Sequence, residues 1–127
     1  MTTRLDELFK AAGEPTRLRI LNLLRLGSIC VCDLQATLGI PQPTVSRHLA
    51  VLRHAGLVLD FREGPRVMYS LAPATNERLR FFYKFLNQTC PFEPRLQKDL
   101  AILRTAREKG ECEVVERGDG KLLEARE

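Results

Sequence analysis

The hydrophobic period of this chain changes at residue 57, and that change limits the folds open to it. Before it, apolar residues recur at helical spacing. Leu5, Leu8 and Phe9 lead a first segment, closed by Gly13. Glu14-Pro15-Thr16 opens a second, with Leu18, Ile20, Leu21, Leu23 and Leu24 as a broad apolar face and Gly27-Ser28 as its stop. Proline suits a first helical turn because its missing N–H would be unpaired there anyway. Residues 30–38 are expected as a third helix, ended by Gly39. A fourth opens at Pro41-Gln42-Pro43, buries Val45, Leu49 and Leu52, and stops at Gly56. After residue 56, two β-prone runs, 57–62 and 66–71, flank Glu63-Gly64-Pro65 and predict a hairpin that Pro73 ends. Helical spacing then returns over 76–88 through Leu79, Phe82, Phe85 and Leu86. Pro91 and Pro94 separate that helix from a last one over about 95–109, carrying Leu96, Leu100, Ile102 and Leu103.

This order predicts a mainly α chain with a β-hairpin wing (an α+β fold), a winged helix-turn-helix. The 127 residues suit one domain with a modest core. We place the domain at 1–110 and an acidic, mobile tail at 111–127. In so small a core the apolar faces of the first and last helices are expected to lack a partner, which argues for a homodimer through those helices.

Charge follows the same division. Residues 1–110 hold 17 basic and 10 acidic side chains, whereas 111–127 hold 3 and 6. A basic body with an acidic tail makes double-stranded DNA the leading partner. No apolar run approaches the ~18–20 residues of a membrane span. The charged N-terminal stretch MTTRLDELFK lacks the apolar run of a signal peptide. The expected location is cytoplasmic, with no membrane partner, and there the four Cys are free thiols or metal ligands rather than disulfides.

The helices at 30–38 and 42–55 fit a helix-turn-helix, whose second helix enters the major groove N-terminal end first. That end carries Gln42, Thr44, Ser46, Arg47 and His48. Gln and Arg can read base edges, while Ser, Thr and a helix N-terminus can hold phosphates. Arg62 and Arg66 flank the hairpin tip, where a wing follows phosphates or enters the minor groove.

Cys30-Val31-Cys32-Asp33-Leu34 carries the other chemistry. Two thiols one residue apart suit a soft, thiophilic ion. In a regular helix, residues i and i+2 lie about 200° apart and cannot share a small ion. In extended backbone they project to one side. Chelation therefore requires a non-helical start to the third helix, and the expectation is that ligand binding unwinds or re-angles that turn.

Several runs together resemble the ArsR/SmtB family of metal- and metalloid-sensing repressors. They are Glu14-Pro-Thr-Arg-Leu-Arg-Ile-Leu-Asn-Leu-Leu, Cys30-Val-Cys-Asp-Leu, and Pro43-Thr-Val-Ser-Arg-His-Leu-Ala-Val-Leu-Arg-His-Ala-Gly-Leu-Val, with Arg62-Glu-Gly-Pro-Arg-Val-Met-Tyr-Ser-Leu. The resemblance implies a homodimer that holds an operator when empty and releases it with inducer. It implies base-facing Gln42, Ser46, Arg47 and His48, wing contacts at Arg62 and Arg66, and dimerisation through the first and the long C-terminal helix. Within the family, Cys30-Val-Cys-Asp-Leu is similar to the arsenic-responsive type. That implies As(III) or Sb(III) as inducer, at Cys30 and Cys32, and no organic cofactor. The arsenic pattern carries a third Cys where this chain has Gln35. The third ligand is then Cys90, Cys112, an exogenous thiol such as glutathione, or a hydroxide; a methylated trivalent arsenical needs only two thiolates. The interhelical His/Asp zinc site of some relatives cannot exist here in that form, since no His follows His54.

The rival readings are a thiol-redox-switched repressor and a cadmium- or lead-responsive one. A disulfide between Cys30 and Cys32 would be strained. An enzyme is disfavoured: no evident base but Asp33 stands near Cys30, and no Gly-rich phosphate loop is present.

Overall fold

The computed structural model describes residues 4–110 and the backbone of 114–115. Along the chain run α1 (Leu5–Ala12), α2 (Pro15–Leu24), β1 (Ser28–Cys30), α3 (Val31–Leu38), α4 (Gln42–His54), β2 (Val58–Glu63), β3 (Arg66–Leu71), α5 (Glu77–Thr89), α6 (Pro94–Glu108) and β4 (Val114–Val115). One turn of 3-10 helix, Cys90–Phe92, joins α5 to α6.

Local chemistry sets most of these bounds. The Glu14 carboxylate accepts the Arg17 N–H at 2.9 Å and caps α2. Asn76 caps α5 through the Leu79 N–H at 2.9 Å. Gly39, at φ 72°, supplies the left-handed residue that ends α3 and turns the chain into α4. Ile20, Leu21, Leu34, Leu49, Leu52, Leu57 and Leu103 are fully buried and join α2, α3, α4 and α6 in one core.

The sheet is larger than the expected hairpin. Its strand order is β2-β3-β1-β4, all neighbours antiparallel. The wing runs in register from Val58↔Leu71 to Glu63↔Arg66. β1 then pairs with β3 at Ile29↔Tyr69 and Cys30↔Met68, and with β4 at Ile29↔Val114 and Ser28↔Val115. The third helix therefore begins at Val31, and Cys30 is the last residue of a strand. Three residues are too few to show a period-2 pattern, so only the non-local pairing reveals β1. Apart from Val114–Val115, the mobility expected for residues 111–127 concerns residues outside those described, Cys112 among them.

A second expectation is corrected at α6. Its apolar stripe does have a partner within the protomer: Leu96, Leu100 and Leu103 are buried as α6 packs on α2 and α3. Pro91 and Pro94 allow the chain to fold back in this way. Arg19 on α2 then grips Asp99 on α6, with Nε–Oδ2 at 2.8 Å and Nη2–Oδ1 at 3.0 Å, and also donates to the Leu38 carbonyl at 3.2 Å. Asn22 donates to the Leu96 carbonyl at 3.0 Å. The Asp99 carboxylate, 3% exposed, holds the Arg19 guanidinium pKa above its usual value. The uncovered apolar surface lies instead on α1 and α5, where Leu5, Phe9, Phe81 and Phe85 are 50–64% exposed and line one groove. No described helix is long and apolar enough to cross a membrane.

Candidate nucleic-acid interface and thiol site

α3 and α4 pack against each other across the Gly39–Pro41 turn. Pro41 is the N-cap of α4 and accepts the N–H groups of Thr44 and Val45 at 3.0 and 3.1 Å. Pro43 in the first turn forfeits only an N–H that has no helical partner. Val45, Leu49 and Leu52 are fully buried, which fixes the roll of the helix. Gln42, Ser46 and Arg47 are consequently exposed together on the opposite face, with Ala50 one turn on. Thr44 is half-buried at the flank.

His48 is placed differently. Its side chain is 18% exposed, and its Nδ1 lies 3.1 Å from Arg17 Nη1 and 3.8 Å from Glu14 Oε1. It faces α2 rather than sharing the open face of Ser46 and Arg47. The i+4 spacing from Thr44 puts both on the flank, a position that a list of polar residues does not separate from the exposed one.

The wing stands beside α4. Arg53 on α4 meets Asp60 on β2 at 3.2 Å, a pair exposed enough to contribute little energy but able to bias the wing's angle. Arg62 is exposed on β2, whose residues after Val58 are all exposed. Arg66 is half-buried on β3. Burial and the nearby Asp60 carboxylate raise the Tyr69 pKa, in keeping with a packing role in the hairpin.

The thiol segment sits where β1 becomes α3. Cys30 is the N-cap of α3 with extended backbone (φ −67°, ψ 145°), and its Sγ accepts the Cys32 N–H at 3.4 Å. Cys30 is 2% exposed, while Cys32 is exposed in the first helical turn. The neighbouring Cys30 thiol first, and the Asp33 carboxylate after it, raise the Cys32 pKa, opposed by the Arg66 guanidinium. The start of α3 is thus non-helical at Cys30, whose strand backbone meets the condition the spacing sets for chelation, while Cys32 lies in the first helical turn.

Arg66 lies close enough to act on Cys32 because Cys30↔Met68 pairing carries β3 past the thiols. Among the described residues no three Cys, His, Asp or Glu side chains gather into a metal cluster. Cys90 caps α5, buried, with its pKa raised by burial against the opposing charge of Arg25.

A helix pair joined by a tight glycine turn, with a polar second helix exposed and a hairpin beside it, defines a winged helix-turn-helix of the DNA-binding class. The comparisons with known proteins agree. The family model for bacterial regulatory proteins of the arsR family matches residues 14–59, which contain both thiols and the whole of α4. The arsenical resistance operon repressor of Escherichia coli is 52% identical over 68 residues, 53% of this chain and 58% of that repressor. The chain therefore spans little more than half the length of that relative. An HTH-type transcriptional regulator of Methanocaldococcus jannaschii is 42% identical over 83 residues, 65% of this chain and 90% of its own. The homodimeric winged helix-turn-helix DNA-binding domain of a Mycobacterium bovis protein is 26% identical, with a TM-score of 0.53 over 84% of this chain and 82% of that one. This chain belongs to the ArsR family, whose members are transcriptional regulators and not enzymes.

Proposed function

We propose that the chain is a homodimeric repressor that holds operator DNA and releases it when trivalent arsenic or antimony, or a methylated trivalent arsenical, binds Cys30 and Cys32. The observation that carries this reading is the extended N-cap at Cys30, whose thiol accepts the Cys32 N–H at the start of the helix that packs against the exposed polar helix. Gln42, Ser46 and Arg47 read base edges from the open face of α4. Thr44 holds a phosphate, and Arg62 and Arg66 follow the wing's phosphates. The groove of Leu5, Phe9, Phe81 and Phe85 is the natural seat for a second copy, since about 20–30 cal/mol is recovered per Å² of apolar surface covered.

The two thiols suit a soft ion, and a sulfur ligand bearing negative charge is favoured at the N-terminal end of α3. The third ligand is Cys90, Cys112, an exogenous thiol such as glutathione, or a hydroxide. Bound ion would draw on the end of β1 and the first turn of α3, and α3 carries α4. The strain of a disulfide between residues i and i+2 weighs against a redox switch closed by Cys30 and Cys32.

The test is an operator mobility shift titrated with arsenite, methylarsenite, cadmium and zinc under reducing conditions. Release by arsenite or methylarsenite, at concentrations where zinc does nothing, is the expected result. Cys32→Ser should bind operator as the wild type does and fail to let go. Release by cadmium alone would give the site to a divalent soft metal, and release of Cys32→Ser by arsenite would remove it from these thiols.

A further inference from the structure

Arg17 occupies the third position of α2 and makes no contact with the exposed face of α4, yet its guanidinium reaches two other helices. Nε donates to the Ala11 carbonyl at 2.6 Å and Nη2 to the Lys10 carbonyl at 3.5 Å. Both carbonyls belong to the last turn of α1, where no helical N–H remains to pair with them. Nη1 meets His48 Nδ1 on α4 at 3.1 Å. The backbone N–H of the same residue is held by Glu14 at 2.9 Å, so the stem of the clamp is itself fixed.

The chemistry of this contact is one-directional. A guanidinium has only donors, so His48 Nδ1 must offer its lone pair, and the ring's proton resides on Nε2. His48 Nδ1 is therefore the acceptor toward Arg17. Arg17 links the end of α1 rigidly to the side of α4.

We propose that Arg17 is a positioning residue for operator recognition, acting through His48 to lock α4 to α1 and so fix the separation of the two α4 helices in the dimer. This rests on the homodimeric repressor reading, in which α1 seats the partner copy. A two-fold dimer reads half-sites about one helical turn apart. Any play between the seat of the partner and the reading helix would blur that spacing. Lys cannot substitute, because one ammonium cannot serve the carbonyls and the imidazole in the fixed geometry of the fork.

The experiment measures spacing discrimination. Wild-type protein first selects duplexes from a random library. Affinity is then measured on the selected inverted repeat and on versions with the half-sites moved apart by one and two base pairs. Arg17→Ala should lose about tenfold on the native spacing, the low end of what one charge-assisted hydrogen bond is worth. It should lose less than about twofold on the lengthened sites, so discrimination collapses, and the salt dependence should not change because no phosphate contact is lost. His48→Ala should behave alike, and the double variant no worse than either single one, as expected for residues acting as a unit. His48→Asn, which keeps an acceptor near the place of Nδ1, should restore discrimination.

Should Arg17→Ala not fold, the two His48 variants carry the same test. Equal loss on every spacing, or discrimination retained in Arg17→Ala and His48→Ala, overturns the proposal and leaves the repressor reading standing. A wild-type protein that selects no inverted repeat overturns both.

Discussion

The two ends of α3 are held by different means. Its C-terminal end is anchored by charge and by backbone: Arg19 reaches the Leu38 carbonyl while gripping buried Asp99, and Gly39 turns the chain directly into α4. Its N-terminal end continues from a three-residue strand and carries two thiols, Cys30 buried and Cys32 exposed, with the Cys30 Sγ accepting the Cys32 N–H. Under the proposed function, the ligand acts at the N-terminal end and the displacement is passed on at the C-terminal end, where the helix is fixed to the reading element.

The largest test of that contrast is removal of the anchor. Asp99→Ala leaves Arg19 with 11% side-chain exposure and no counter-charge. Losing one partner of a buried pair costs about 3–5 kcal/mol, and the low end, about 3 kcal/mol, is expected here because Arg19 keeps its bond to Leu38. Denaturant unfolding at fixed protein concentration measures it. If the variant is as stable as the wild type, the C-terminal end of α3 is not anchored as described.

Next in size is a change on the open face that follows the anchor. Arg47→Ala should weaken operator binding by about 1–3 kcal/mol if Arg47 reads a base, in the presence or absence of inducer. A uniform loss across all sequences, with a smaller salt slope, would make Arg47 a phosphate contact instead. Fold stability should be unchanged, since the side chain is exposed.

Gly39→Ala probes the turn itself. No atom lies within 4 Å of a Cβ built there, so the only cost is the left-handed backbone at φ 72°. That amounts to about 1 kcal/mol of stability. A larger loss, read from the same unfolding curve, would mean the turn carries packing that the open space does not show.

The same contrast explains what was legible in the sequence. The C-terminal end of α3, the turn and α4 are written locally: Gly39 as a left-handed stop, prolines in the first turn, an apolar stripe at 45, 49 and 52. Gln42, Ser46 and Arg47 could thus be placed on the exposed face from periodicity alone. The N-terminal end was readable only as a conditional statement, that Cys30 and Cys32 need extended backbone to meet. What supplies that backbone is pairing with Met68, 38 positions away in the chain, and no local pattern encodes it. The covered stripe of α6 and the inward turn of His48 escaped for the same reason. Both depend on partners, Arg19 with Asp99 and Arg17 with His48, that lie far apart in sequence and meet only in the fold.

The pH dependence of ligand binding is the most discriminating test for the thiol end. Arsenous acid condenses with two thiols as As(OH)3 + 2 RSH → (RS)2AsOH + 2 H2O, in which two As–O bonds give way to two As–S bonds and no proton is released. A divalent ion instead displaces protons, M2+ + 2 RSH → M(SR)2 + 2 H+. The raised Cys32 pKa means that this thiol carries its proton across neutrality and above. The sign follows for each ligand. Cadmium affinity should climb with pH by about tenfold per unit for each protonated thiol it displaces, until the thiols ionise. Arsenite affinity should stay flat over the same range and fall only above it, where thiolates would have to recapture protons to form water. Direct binding to the free protein, measured at several pH values, checks this without DNA. A falling arsenite curve near neutrality would mean that the ligating thiols are already ionised, contrary to the raised Cys32 pKa.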